Sequence, residues 1–356
     1  MKRSQSAARL RARLTCGTLL LGAACTSGHF AAIDQVTGLT VLAVKADPPD
    51  QLVVYDGGVL ALSLFHAADA GATMPIARVT LSALVADPGG QGRGIQAVFA
   101  TCAQLDPTTH QCLPQSPDYQ VIGSGAYFPD GGPAIVATAA FTPGAQLLAD
   151  ALALDPLHGF GYLPLPVQVT AAAGADQSIG VKTLTFSQPV TVSLALDGGA
   201  ADGGSTLTQF PEENPVLTGL TLDGAEWPVD AGPPAIGQAA TIQPDRQPFE
   251  LVYFVPEVDG GLLPFTDVWS YEFYCTAGSF SSPRSGGGPR PGFPLGFGLG
   301  RDAGSVTVNQ AGEVIPSTQV TWNADAGEPS GLVYFWVVAL DGRGGVDFTQ
   351  RTASYQ

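Results

Sequence analysis

Glycine and proline break this chain at short intervals. Its 356 residues include 45 glycines and 29 prolines, spread from end to end rather than gathered into one tail. A proline inside a helix removes a hydrogen bond and clashes with the preceding turn, and a glycine there costs roughly 1 kcal/mol relative to alanine. Long helices are therefore excluded over most of the chain. Between the breakers lie short apolar runs with β-branched and aromatic residues at alternating positions, which is the pattern of strands.

In the first half, residues 39–49 read as a strand halted by Pro48 and Pro49. Strand-like runs follow at 58–68, 76–90, 94–102 and 133–141. Val79, Leu81, Ala83 and Val85 share one face, as do Ile135, Ala137, Ala139 and Phe141, because side chains alternate along a strand. Residues 165–174 and 179–187 read as a hairpin closed by a Gly-Ala-Asp turn. One helix is predicted, over 144–153, preceded by Pro143 and ended by Asp155-Pro156. The second half continues with runs at 214–224, 249–257, 268–280, 317–325 and 332–348. In 268–280, Trp269, Tyr271, Phe273 and Cys275 form the aromatic face and are the expected core side. Many short strands at this spacing predict an all-β chain of two β-sandwich domains. The stretch 195–215, rich in Gly, Asp and Pro with no periodic apolar face, is where the boundary falls.

The N-terminus carries a different signal. Lys2, Arg3, Arg9, Arg11 and Arg13 precede an apolar run from Leu14 to Ala24, with no acidic residue among them. A bilayer-spanning helix needs about 20 apolar residues, so this run is too short and reads instead as a cleaved export signal. Its end, Leu21-Gly22-Ala23-Ala24-Cys25, resembles the bacterial lipobox, departing from it at Gly22, where leucine is more usual. The resemblance implies removal of residues 1–24 and acylation of Cys25, which then holds the protein to a lipid bilayer. Thr26, rather than aspartate, follows the cysteine, which points to the outer membrane. The expected organisation is a signal peptide over 1–24, a lipidated tether over 25–35, a first sandwich over 36–196, a linker over 197–213 and a second sandwich over 214–356.

Charge narrows the partners. The whole chain has 15 basic and 31 acidic residues; cleavage before Cys25 leaves ten basic ones and a net charge of −21. Nucleic acid needs clustered Lys and Arg, so it is excluded as a partner. Only two lysines, Lys45 and Lys182, lie beyond residue 2. Aspartate followed by glycine recurs throughout, and such pairs read as turns rather than calcium loops, whose oxygens must converge within a few residues.

Cys102 and Cys112 bracket a short loop centred on Pro107, and a disulfide between them fits an exported protein. A metal site built from these two with His110 lacks a fourth ligand and the paired spacing of zinc sites. Cys275 is left over, either as a buried free thiol or as a competitor for one of these two partners. The histidines, His29, His66, His110 and His158, have neither metal-binding nor nucleophile-activating spacing. No catalytic or metal residue is assigned, no cofactor is implied, and the chain is read as not an enzyme. Asp341 and Asp347 flank an Arg-Gly-Gly turn, where they either hold a cation or cap their own hairpin. Trp227, Tyr253, Trp269, Trp322 and Trp336 belong to a core or, if exposed, to a sugar-stacking platform. Arg284 and Arg290, with Arg301 just beyond, make the glycine- and proline-rich stretch 281–300 the one basic element of an acidic half. Trp227, Trp322, Arg284 and Arg290 are thus the candidate ligand contacts.

The order SYEFYCTAGSF, VTWNA, VYFWVVALDGRGG over roughly 267–348 resembles bacterial Ig-like and PKD-like extracellular domains, through Trp269, Gly278, Phe280, Trp322, Asp341, Gly342, Gly344 and Gly345. The first half, with LTVLAVKADPP and LPVQVTAAAG, is similar to myxobacterial surface lipoproteins. These resemblances imply an exported, lipid-anchored pair of Ig-like sandwiches. The function expected is a structural or interaction module of the cell envelope with a protein or glycan partner. The competing readings are a polysaccharide-binding protein and a hydrolase.

Overall fold

The computed structural model combines, in its long strands, stretches of alternating burial with stretches buried on both faces. It describes residues 34–52, 76–156, 162–187, 191–194, 205–208, 212–230, 232–245, 251–256, 262–267, 269–286, 307–308, 314–315, 318–341 and 344–356, with only the backbone of several short strands among them. The expected strand over 58–68 lies outside these residues.

The first half contains β1 (Thr40–Asp47), β2 (Asp50–Leu52), β3 (Val79–Ala86), β4 (Ile95–Thr101), β5 (Gln120–Tyr127), β6 (Ala134–Phe141), α1 (Ala145–Leu154), β7 (Tyr162–Ala173) and β8 (Asp176–Ser187). One sheet has the order β1-β3-β6 and the other β2-β8-β7-β4-β5. All the ladders are antiparallel except β2 with β8. The inner faces meet in an aliphatic core that includes Leu81, Val85, Ile95, Phe99, Ala137, Leu165, Val169 and Phe186. The sequence placed Val79, Leu81, Ala83 and Val85 on that face, and all four are buried there. The helix follows its predicted span within a residue; Leu147, Leu148 and Ala151 turn to the core, and the Asp155 N–H donates to Ala151 O at 2.9 Å to close its last turn. The ladder of β1 shifts register between Val41 and Ala43. Opposite that shift stands Gly180, where a Cβ would meet Val41 and come within 3.2 Å of Val44. Glycine is what lets β8 pass this close to β1.

A hairpin pairs β9 (Thr191–Leu194), at the end of the expected first sandwich, with β10 (Ser205–Thr208), which falls in the stretch read as a linker. The second half then contributes β11 (Leu220–Leu222), β12 (Ala225–Glu226), β13 (Ala235–Ile236), β14 (Ala239–Pro244), β15 (Leu251–Pro256), β16 (Leu262–Asp267), β17 (Ser270–Cys275), β18 (Ser279–Phe280), β19 (Arg284–Gly286), β20 (Thr307–Val308), β21 (Val314–Ile315), β22 (Val320–Asn323), β23 (Gly331–Leu340) and β24 (Val346–Tyr355). Its two sheets run β12-β11-β14-β22-β18 and β13-β24-β23-β17-β19, while β15 with β16 and β20 with β21 form separate ribbons. Between the sheets lies an aromatic core of Trp227, Tyr271, Phe273, Phe280, Trp322, Phe335 and Tyr355. Phe335 meets Trp227 and Trp322 edge to face at 5.6 and 5.7 Å, the geometry that aromatic quadrupoles favour. Gly278, at φ +71°, turns β17 back toward β18; a Cβ there would stand 2.6 Å from the Trp322 indole nitrogen. The chain is all-β apart from its short helical segments, built as two sandwiches.

A third apolar layer lies between them. Leu84 and Ala86 of β3 with Leu42 and Ala43 of β1 pack against Trp336 and Val338 of β23 and Val346 of β24. Both faces of β3 and β23 are therefore covered, and residues 34–356 form one compact unit. The N-terminal end of this unit crosses the expected division. Val36 N donates to Cys275 O at 2.8 Å and Cys275 N donates to Asp34 O at 2.9 Å. Residues 34–36, expected in the tether and at the start of the first sandwich, are thus sewn to β17 of the second.

Candidate functional site

The junction of the two sandwiches gathers the polar residues that the cores exclude. Lys45, on β1, donates to Asp347 Oδ1 at 2.8 Å, and Asp347 Oδ2 accepts the Leu217 N–H at 2.9 Å. Asn214 donates through Nδ2 to Ala46 O at 2.7 Å and accepts the Val346 N–H at 2.9 Å, so one amide bonds both sandwiches. Asp50 accepts the N–H groups of Ser187 and Glu212 at 3.2 Å each. Residues 212–217 therefore run along the junction as a seam.

Lys182 is the second lysine of this junction. It faces inward on β8, in line with buried Leu184 and Phe186, and is 6% exposed. An alternating strand places an apolar side chain at such a position, and an ammonium there loses its hydration. Burial pulls its pKa down to about 8, against the opposing pull of Asp341 and Glu212. Its amine stands 3.7 Å from the position a Cβ on Gly344 would take. The Gly344 and Gly345 N–H groups both donate to Asp341 Oδ1, at 2.6 Å each. Asp341 thus closes the turn between β23 and β24. The two aspartates that flank this turn each face one lysine of the first sandwich: Asp347 is paired with Lys45, and Asp341 lies in the field of Lys182.

Beside this cluster opens a cleft of about 260 Å³. Val41 to Val44 of β1, Gly180 to Lys182 of β8, and Val338, Leu340 and Val346 line it, with Glu272 of β17. Glu272 accepts the Tyr274 hydroxyl at 2.9 Å, and burial next to this carboxylate pushes the Tyr274 phenol upward. The chemistry the junction offers is an amine of lowered basicity in the field of carboxylates, beside a cleft whose aliphatic side chains are interrupted by Lys182 and Glu272.

No protein-family model matches the chain, and no curated protein matches it. Solved structures align with it only loosely. Escherichia coli α-2-macroglobulin activated by porcine elastase covers 92% of this chain at 8% identity and a TM-score of 0.22, and the chain spans 22% of that protein's length. The C-terminal domain of the Streptococcus agalactiae antigen I/II polypeptide BspA covers 79% of this chain, with 93% of its own length, at 10% identity and a TM-score of 0.19. Two tandem V-type regions of a v-region-containing chitin-binding protein cover 89%, with 99% of their own length, at 11% identity and 0.18. At these scores the alignments carry no functional argument.

The residues singled out in the sequence scatter. Cys25 lies outside the described residues. Cys102 and Cys112 are joined in a buried disulfide, and the loop they close is held by Asp106, which accepts the Thr108 and Thr109 N–H groups. The hydrogen bonds from Thr109 hold its carboxyl below the usual range. His110 is exposed on that loop, and among the described residues no cluster of metal-ligating side chains forms. His29, His66 and His158 lie outside the described residues. Cys275 is the buried thiol expected, and burial pushes its pKa upward.

The aromatic ligand contacts are corrected. Trp227 and Trp322 are 3% and 0% exposed, and the Trp322 indole donates to Ala277 O at 2.7 Å inside the second core. Neither presents a ring face to a sugar. Trp336 is buried in the layer between the sandwiches and donates to Gln350 Oε1 at 2.9 Å. Arg284 sits on β19, an edge strand rather than a loop, exposed and donating to Ser270 Oγ at 2.9 Å. Arg290 lies outside the described residues. Lys182 and Glu212 were not foreseen. The available signal was scarcity: one of only two lysines past residue 2 falls on the apolar face of an alternating strand.

Proposed function

We propose that this chain is an exported lipoprotein of the bacterial envelope, in the manner of myxobacterial surface lipoproteins. Acyl chains on Cys25 hold it to a membrane, and its two sandwiches serve as a non-enzymatic structural or interaction module. The observation that supports export most directly is the Cys102–Cys112 disulfide, since such bonds persist in oxidising compartments and are reduced in the cytosol. It agrees with the basic and then apolar N-terminus that ends at Cys25. The stacked sandwiches suit a module that presents surface: covering both faces of β3 and β23 fixes the two halves against each other. The net charge of −21 after cleavage keeps the body off anionic headgroups, so attachment rests on the acyl chains.

Labelling with palmitate followed by membrane fractionation tests this reading. The native chain is expected to take label and to sediment with the outer membrane, and Cys25→Ala to do neither. An unlabelled native chain recovered in the soluble fraction would sink it.

A further inference from the structure

We propose that the free edge of β5 pairs with β5 of a second copy of this chain, antiparallel about a two-fold axis. A sheet edge is a row of unpaired N–H and C=O groups, and folded chains close such rows or keep them short. Five outer strands of the two sandwiches, β2, β12, β13, β18 and β19, are only two or three residues long. The three long ones, β1, β5 and β6, have eight residues each. Side chains close β1: its Val41 N–H donates to Ser178 Oγ at 2.9 Å, and its Ala46 C=O accepts the Asn214 amide at 2.7 Å. Tyr127 closes the middle of β6. Its hydroxyl accepts the Thr138 N–H at 3.1 Å and donates to Thr138 O at 2.9 Å, as a neighbouring strand would. Among the described residues, no side chain caps the backbone of β5 in this way.

The strand also lacks the residues that deter pairing. From Gln120 to Phe128 there is neither a charge nor a proline. Val121 and Phe128, at 60% and 70% exposure, are large apolar side chains left in water at its two ends, with Gly123, Ser124 and Gly125 between them. Charge and shape select a second copy as the occupant. The chain has a net charge of −16, so two copies repel over most of their surface. At this uncharged strip they meet without that repulsion. An antiparallel copy sets the Val121 end of each strand beside the Phe128 end of the other, and the three small residues cross at the axis. An aromatic ring beside a β-branched side chain is a favourable cross-strand pair. The contact is isologous, so it uses up both edges and closes at two copies. This gives the interaction module proposed above a partner, and it requires neither export nor acylation.

The test is sedimentation equilibrium of the full chain in a density-matched detergent over a dilution series, read together with hydrogen exchange of the backbone amides. The native chain is expected to pass from monomer to dimer with concentration, and amides within 120–127 are expected to slow in step. Added salt is expected to strengthen the dimer, because it screens the repulsion between the acidic bodies. Val121→Lys charges the pairing edge and is expected to raise the dissociation constant by about tenfold or more, while far-ultraviolet circular dichroism shows the fold retained. Val229→Lys makes the same charge change at a site 69% exposed in the second half, and is expected to leave the dimer unchanged. A native chain that stays monomeric throughout overturns the proposal, even if its edge takes up a foreign peptide. A dimer that Val121→Lys leaves intact overturns it too, whatever the lipidation experiment finds.

Discussion

The two sandwiches solve the same packing problem with different side chains. The first is filled by alanine, valine and leucine, with Phe99 and Phe186 its fully buried aromatics, and it adds a helix and a disulfide. The second concentrates its core in interlocked rings around Phe335, without either addition among the described residues. An aliphatic core spreads its stabilisation over many small contacts, whereas an aromatic one puts it into few large side chains. A single truncation is therefore felt unequally in the two halves.

The largest expected effect is Trp322→Ala, at about 4 kcal/mol by the scale for buried aromatic truncation. Chemical denaturation is expected to show it, and a loss below about 1 kcal/mol would mean that the rings are not the keystone described. Leu165→Ala in the first core follows at about 3 kcal/mol, because a smaller side chain takes fewer buried contacts with it. Replacing Cys102 and Cys112 together by alanine is expected to cost on the order of 2–3 kcal/mol for so short a loop. The smallest effect belongs to Lys45→Met. That pair is partly solvated, with side-chain exposures of 29% and 18%, and is expected to contribute at most about 1 kcal/mol.

Lys182 gives the comparison a pH axis. Its amine is buried, in the field of Asp341 and Glu212. Its folded pKa of about 8 lies below its unfolded value, so the unfolded state binds more protons between the two. The Lys182 contribution to stability therefore rises from pH 8 toward 10.4, by at most about 3 kcal/mol. In Lys182→Met no amine titrates there, and that rise is expected to be missing. The checking measurement is urea unfolding of both proteins across this window.

Much of this architecture was legible because it is periodic. The alternation through 79–85, the Pro143 and Asp155 limits of the helix, and the aromatic face of Tyr271, Phe273 and Cys275 all came from local pattern. The layer between the sandwiches did not. Leu84, Ala86, Trp336 and Val338 sit on the opposite faces of strands whose inner faces already had a core. An uninterrupted run such as VYFWVVAL is the sign of a strand covered on both sides, but it does not name what covers it. The strap at Asp34 is a contact across 241 positions of chain, and the charge of Asp341 acts on Lys182 across 159, where no local rule reaches. The ring residues proposed for sugar binding were misplaced for the opposite reason: an aromatic side chain on an alternating strand reads alike whether its face is inside or outside.

The claim on which the rest depends is that the two sandwiches unfold as one body. All four tryptophans, at 227, 269, 322 and 336, belong to the second half of the chain, so their fluorescence reports on that half, while far-ultraviolet circular dichroism reports on both. Urea unfolding followed by the two signals is expected to give coincident transitions for the native chain. Two separated transitions, with fluorescence and dichroism midpoints apart, would contradict it.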